Sequence, residues 1–323
     1  MRIFWACIIF CLSFTTVSFA QSKKTITNLY SSYLKGLFYT EEENYRTALK
    51  YLEKARKLDP DSFLIRLRIA TLLIRVGEIE KAEKELMEAK KLNAESFDAS
   101  LALIFLYSYT ENDEALEKEY EHFLEKAHTL DPSDLQVSQH LAQFYFYKNQ
   151  YQEAIKVYEK ILEDNYDDVD AIFWLGFLYE EIGNRQQAID TWKRGLEIDS
   201  SHAPILNSLG YVYVQEGINL DEAESMIKKA LKQEPENGAY LDSLGWVYFK
   251  KKDFKKAEKY LKKAVEAVKD PVIFDHIGDF YVDRENIEEA VKFYKEGAEL
   301  FPDNDTLQRK LKKYEEKIKT LKK

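Results

Sequence analysis

Cysteine is almost missing from this 323-residue chain. Its two copies, Cys7 and Cys11, both fall within the first eleven residues. If that end is removed, the mature protein holds no cysteine and no disulfide framework. Proline and glycine are also sparse, at six and eleven residues, which leaves little room for long loops. Histidine occurs five times, as His122, His128, His140, His202 and His276, and no HExxH pair or other recognised metal spacing is present. His122 and His128 lie six apart, which a helix places on different faces. No G-x-S-x-G nucleophile turn occurs, and no strand is predicted that a Gly-rich phosphate loop could follow. The sequence therefore reads as a non-enzyme with no metal and no cofactor.

What is present is charge and apolar content in regular alternation. Charged residues make up 32 % and apolar residues 45 %, enough for a large core. The formal net charge is −10, which argues against general affinity for nucleic acid or an anionic membrane surface.

The first twenty residues differ from the rest. Arg2 is followed by an apolar run from Ile3 to about Val17, then Ser18-Phe19-Ala20 before Gln21. This is the layout of a secretory signal peptide, 1–20, cut after Ala20, with 21–28 as a short linker. A periplasmic or secreted protein is the expectation. The run is shorter than the roughly 20 residues of a membrane span. Two alternatives stay open. Cys11 is a candidate lipid anchor, although Ile9-Phe10 precede it where a small residue is usual. Lys23 and Lys24 disfavour export, so an uncleaved inner-membrane anchor is the other. No later stretch is apolar enough to span a bilayer.

The rest of the chain repeats itself. Leu206-Asn207-Ser208-Leu209-Gly210-Tyr211 is answered 35 residues later by Leu241-Asp242-Ser243-Leu244-Gly245-Trp246. Asp221-Glu222-Ala223-Glu224 is answered by Lys255-Lys256-Ala257-Glu258. The register set by this pair divides the chain into eight repeats: 29–62, 63–96, 97–134, 135–168, 169–202, 203–237, 238–270 and 271–305. Each holds two stretches of helical apolar period separated by a short polar turn, such as Gly77-Glu78, Gly183-Asn184 or Lys252-Asp253. Several close on a breaker: Asp59-Pro60, Asp131-Pro132, Glu234-Pro235, Phe301-Pro302.

This pattern resembles the tetratricopeptide repeat, a 34-residue helix–turn–helix with W-x2-L-G-x2-Y, then A-x3-F, then P. The eighth repeat carries Phe274, Ile277-Gly278, Tyr281, Ala290, Tyr294 and Pro302. The fifth carries Leu175-Gly176, Tyr179, Ala188 and Trp192. The resemblance covers about 29–305. It implies an all-α right-handed superhelix, an α-solenoid of about sixteen repeat helices. Within it, Gly36, Gly176, Gly210, Gly245 and Gly278 read as places where the second helix of a repeat approaches closely. Ala48, Ala188, Ala223, Ala257 and Ala290 read as the small surface facing them. Tyr39, Tyr179, Tyr248 and Tyr281 read as filling the gap to the neighbouring helix.

Three stretches depart from the period. The third repeat is four residues too long, implying a longer turn or longer helices. The sixth has one extra residue near Gly217-Ile218-Asn219-Leu220. The tail 306–323 carries a single apolar stripe of Leu307, Leu311, Tyr314, Ile318 and Leu321 opposite Arg309, Lys310, Lys312, Lys313, Lys317 and Lys319. Beside the strongly acidic eighth repeat, this basic amphipathic helix reads as a cap. The alternative is a helix that meets an acidic partner or a membrane.

The resemblance further implies a concave groove lined by the first helices of successive repeats. In register, its fifth positions are Phe173, Asn207, Asp242 and Asp275, and its ninth positions Phe177, Tyr211, Trp246 and Asp279. Earlier repeats place apolar residues there, among them Leu67, Leu101 and Phe105. These eight are the candidate partner-binding residues, for a protein or peptide ligand with basic residues, aromatics giving contact area and acids giving selectivity. The competing reading is that Phe177, Tyr211 and Trp246 pack between helices. Some proteins of this class bind C-terminal carboxylates through a Lys/Asn/Arg clamp. Asn207, Asp242, Asp275 and Asp279 hold those positions here, so the clamp is absent and an acidic C-terminus is a poor ligand. The expected role is a non-catalytic scaffold of the bacterial cell envelope, or alternatively an anchored accessory subunit of secretion, pilus or polysaccharide-export machinery. Self-association through the third repeat and the end helix stays open.

Overall fold

The computed structural model describes residues 23–321. The expected signal peptide, 1–20, with Cys7 and Cys11, lies outside the described residues. Among those described there are seventeen helices and no strand. No helix is long and apolar enough to cross a membrane. The chain forms two bodies, one ending at Asp131 and one beginning at Pro132.

The first body holds α1 (Lys23–Glu41), α2 (Tyr45–Leu58), α3 (Phe63–Arg75), α4 (Ile79–Leu92), α5 (Asp98–Tyr109) and α6 (Asp113–Leu130). The second holds α7 (Leu135–Tyr147), α8 (Tyr151–Asp164), α9 (Val169–Glu181), α10 (Arg185–Ile198), α11 (Ala203–Glu216), α12 (Leu220–Gln233), α13 (Gly238–Lys250), α14 (Phe254–Ala267), α15 (Pro271–Asp283), α16 (Ile287–Leu300) and α17 (Asp305–Leu321). In each body the helices pair as first and second members of a repeat, giving an α-solenoid.

Helix starts follow from capping chemistry. Ser62, Asp134, Asp168 and Asn237 each accept a hydrogen bond from a backbone N–H of the first turn that follows, satisfying a donor the helix cannot satisfy itself. His202 caps α11 through Nδ1. Within every repeat one residue of the turn has positive φ: Glu43, Gly77, Glu111, Asn149, Gly183, Gly217, Lys252 and Glu285. The sixth repeat adds a second, Asn219, at φ 47°. That is how its extra residue is accommodated.

The extra turn of the third repeat goes into its second helix. α6 has 18 residues, where α2, α4, α8, α10, α12, α14 and α16 have 14. The expected linker 21–28 needs correcting. α1 begins at Lys23 because no proline or glycine interrupts the run to Leu29, the first buried residue.

Packing explains the repeat marks. Ala48, Ala82, Ala154, Ala188, Ala223, Ala257 and Ala290 are fully buried. The glycines meet the large residue four positions beyond these alanines: a Cβ at Gly278 would collide with the ring of Tyr294, and one at Gly176 with Trp192. Tyrosines at one register position tie successive repeats together. Tyr107 donates to Glu83 (2.8 Å), Tyr179 to Glu159 (2.8 Å), Tyr248 to Glu224 (2.9 Å) and Tyr281 to Glu258 (2.7 Å).

α17 closes the second body as a cap. Leu307 is fully buried. Tyr314 stacks on Tyr294 with ring centroids 5.7 Å apart. Lys310 binds Asp275 at 2.6 Å and Asp279 at 2.7 Å. The opposite charges of tail and eighth repeat meet in these contacts.

Candidate functional site

A cleft of about 780 Å³ opens in the second body, walled mainly by α9, α11, α13 and α15. Helical spacing puts Asn207 and Tyr211 on one face of α11, and the same register puts Asp242 on α13. Of the eight residues expected to face a groove, Phe177, Asn207, Tyr211 and Asp242 line this cleft. Phe173, Trp246, Asp275 and Asp279 do not.

The centre of the site is a buried polar pair. Asp242 is 5 % exposed, and its Oδ2 lies 2.7 Å from Nδ1 of His276 on α15. A carboxylate only accepts, so Nδ1 carries the hydrogen. The other ring nitrogen, Nε2, lies 3.4 Å from the Tyr211 hydroxyl. Trp246 stacks on the imidazole, with centroids 4.5 Å apart and planes 13° from parallel. Trp246 therefore forms the back of the site rather than its lining.

Burial raises the Asp242 carboxyl above its ordinary range, and the hydrogen bond to His276 offsets part of that. Burial alone would lower the His276 imidazole, but the hydrogen bond and charge of Asp242, with Asp275 and Asp279 behind it, carry it above an ordinary histidine. The pair thus holds its proton to higher pH than free histidine does. Burial also raises the Tyr211 hydroxyl, so that group is a neutral donor at physiological pH.

Two buried acceptors in this wall have no hydrogen-bond partner among the described residues: Oδ1 of Asp242 and Oδ1 of Asn207. Such a buried acceptor costs about 1–3 kcal/mol. Glu180, Glu181 and Asp270 add acid to the lining, and Ser208, Gln215 and Asn237 add neutral polar groups. The cleft can therefore receive a hydrogen-bond donor, and a cationic one best.

The remaining expected residues have partners elsewhere. Asp275 and Asp279 hold Lys310, and Asp279 also accepts from the Tyr294 hydroxyl at 2.6 Å. They are not free to select a basic ligand, because the cap already supplies the cation. Phe173 and Phe177 belong to a cluster with Phe146 and Trp174. Phe177 lies 5.7 Å from Phe146 and 5.9 Å from Trp174, and Phe173 lies 5.3 Å from Trp174. The aromatic positions thus serve both uses: Phe177 and Tyr211 pack between helices and also face the cleft.

No HExxH pair or other recognised metal spacing in the sequence marks His276. The available signal was its spacing: it stands 34 residues after Asp242, one repeat on. His202, which caps α11, shows a related pattern, with Nε2 3.0 Å from Asp170 at the start of α9, 32 residues earlier. Among the described residues no group of three or more His, Cys, Asp and Glu side chains is placed to hold a metal ion.

Comparison with known proteins agrees with this architecture. Tetratricopeptide repeat models match residues 39–104, 142–183, 208–270, and both 169–202 and 273–304, together more than half of the chain. A TPR repeat-containing protein of Pseudomonas aeruginosa is 26 % identical over 131 residues, which is 41 % of this chain and 22 % of that protein. The BBSome complex member BBS4 homolog of Drosophila melanogaster is 24 % identical over 247 residues, 73 % of this chain and 50 % of that protein. This chain therefore spans half or less of the length of these relatives. Among solved structures, the APC/C hetero-tetramer Cut9-Hcn1 matches with a TM-score of 0.55 at 18 % identity, over 84 % of this chain and 52 % of that one. The repeat register, the paired helices and these matches together show that the chain belongs to the tetratricopeptide repeat family, whose fold is a scaffold for protein–protein interaction.

Proposed function

We propose that this protein is a non-catalytic scaffold that captures a protein partner, as an extended peptide or a helix, in the cleft of its second body. The observation that carries this reading is the cleft itself. It combines aromatic walls at Phe177 and Tyr211 with two unpaired buried acceptors at Asn207 and Asp242. Aromatic faces supply contact area, and fixed polar atoms supply orientation. Two similar proteins are named as members of multi-subunit complexes, the BBSome complex member BBS4 homolog and the Anaphase-promoting complex subunit CDC16. Those names support a role as one component of an assembly.

The setting we propose is the bacterial cell envelope, on the strength of the N-terminal layout from Arg2 to Ala20. In that setting the mature protein is periplasmic. The second reading, favoured by Lys23 and Lys24, is an anchored accessory subunit of an envelope machine. N-terminal sequencing of the protein from its host separates the two. A start at Gln21 supports the soluble form, and an intact Met1 the anchored one.

The binding role is tested by replacing Tyr211 and Asn207 together with alanine. Capture of the natural partner should fall while helical circular dichroism is unchanged. Undiminished capture would remove the cleft from the account.

A further inference from the structure

We propose that the wall formed by Asn207 and Asp242 is a subsite for a cationic nitrogen group, the ammonium of a lysine or the guanidinium of an arginine, carried by the captured partner. This rests on the reading of the cleft as a partner site and names the chemistry of one contact within it.

Three observations converge. First, Asp242 is 95 % buried by side-chain surroundings, with only 5 % of its surface exposed, and its Oδ2 is taken by His276 while Oδ1 has no partner. Asn207, on the first helix of the preceding repeat, also leaves Oδ1 without a partner; both residues line the same cleft, and because both oxygens are buried, a ligand reaches them as the two side chains turn toward it. Two acceptors with no donor call for a ligand that brings N–H groups and no acceptor of its own. Ammonium and guanidinium groups fit that description, carrying donors only. Second, the other carboxylates of the lining are Glu180, already paired with Arg185, and Glu181 and Asp270, and the latter two give a positive charge favourable potential on entry.

Third, the fold itself provides a precedent one repeat further on. Asp275 occupies the same register position in α15 that Asp242 occupies in α13 and Asn207 in α11. At Asp275 the position is filled by a lysine ammonium: Lys310 of α17 lies 2.6 Å from its Oδ1. The residue equivalent to Lys310, one repeat earlier on α15, is His276, and it takes Oδ2 of Asp242. The next equivalent is Ser243, and Asn207 Oδ1 receives no hydrogen bond from it. Position by position, Lys310 brings a cation to the acid at one end, and the buried acceptors in the middle have no such cation. Neighbouring aromatic faces, Tyr211 and Phe177, can also receive a cation.

The test uses the full chain and four small probes: N-acetyl-arginine amide, N-acetyl-lysine amide, and their neutral counterparts N-acetyl-citrulline amide and N-acetyl-norleucine amide. Binding is read from the nuclear magnetic resonance signals of the Trp246 indole and the His276 imidazole, which form the back of the site. Saturable shifts are expected with one or both cations, and the tighter-binding cation identifies the side chain. Citrulline and norleucine should bind at least tenfold more weakly. Asp242→Asn and Asn207→Ala should each weaken cation binding at least tenfold. Asn207→Ala leaves the Asp242–His276 pair intact, so its loss of binding cannot come from disturbing that pair. Equal binding of charged and neutral probes, unchanged binding in both variants, or no saturable shift with either cation overturns the proposal. If the probes fail while a partner still binds through the cleft, the chemistry is wrong and the scaffold reading survives. If the probes bind while the partner engages another face, the reverse holds.

Discussion

His276 and Asp242 belong to successive repeats, 34 residues apart, and are joined by a 2.7 Å contact from Nδ1 to Oδ2. The contact links two first helices, α13 and α15, at the back of the cleft. It therefore couples the repeat stack to the candidate site, and its protonation is open to measurement.

The sign of that coupling follows from the raised pKa of His276. The folded state holds the proton more tightly than the unfolded chain. Its contribution to stability is fully present below the pKa of an ordinary histidine, about 6.5. It is lost as pH rises through the higher folded value. Asp242, also raised, acts in the same direction at lower pH. Comparing thermal unfolding of wild type and His276→Gln across this range should show the wild-type advantage shrinking as pH rises above about 6.5. An advantage that grows with pH contradicts the assignment.

Glu224 gives the opposite sign. Burial raises its carboxyl, but hydrogen bonds from Lys228, Lys251 and Tyr248 outweigh this and bring it down to about 2. Its contribution is present above the ordinary carboxylate range and disappears as pH falls toward about 2. Glu224→Gln should therefore lower the unfolding temperature at neutral pH and matter progressively less in acid. A pH-independent difference would show that the carboxylate is not what ties α12 to α13.

Gly278 tests the close approach of α15 and α16. In an exposed helix interior, glycine to alanine stabilises by up to about 1 kcal/mol. Here the new methyl meets the Tyr294 ring, and overpacking of this kind costs about 1–3 kcal/mol. Gly278→Ala should thus destabilise, seen as a lower urea midpoint. A stabilised variant would mean that Tyr294 moves aside freely.

Lys310 fastens the cap. Lys310→Met keeps the aliphatic stem over Tyr294 but removes the charge from Asp275 and Asp279. The expected cost is on the order of 1 kcal/mol, since Asp279 is partly open to solvent. Faster amide hydrogen exchange confined to α17 is the signature. Unchanged exchange in α17 would mean that Leu307 and Tyr314 hold the helix alone.

The fold was legible in the sequence because packing in a solenoid recurs with the chain. The residues that begin α3, α7, α9, α11, α13 and α15 stand where the repeat register puts them. Gly176 and Ala188 signal close helix approach by their size alone. The site was half legible. Register says from which face of a first helix a side chain leaves, and Asn207, Tyr211 and Asp242 follow that rule. It does not say which neighbour the side chain meets. Trp246 turns behind His276, and Asp275 and Asp279 meet Lys310, because each depends on a residue in the following repeat or in the cap. The hydrogen-bond partner of His276 lies off its own helix, and only the one-repeat spacing connects it to Asp242. The added turn in the third repeat was visible as length, but placing it in α6 required knowing where the turn at Glu111 falls.

The central claim, that the cleft of the second body receives a protein partner, is tested most directly by site-specific photo-cross-linking in the host cell. A benzophenone side chain is placed at Ser208 or Gln215, which line the cleft, and separately at Lys193, an exposed residue of α10 outside it. Cross-linked partner from Ser208 and Gln215, with none from Lys193, is the result the account predicts. A partner caught from Lys193 alone would place the binding surface elsewhere and contradict it.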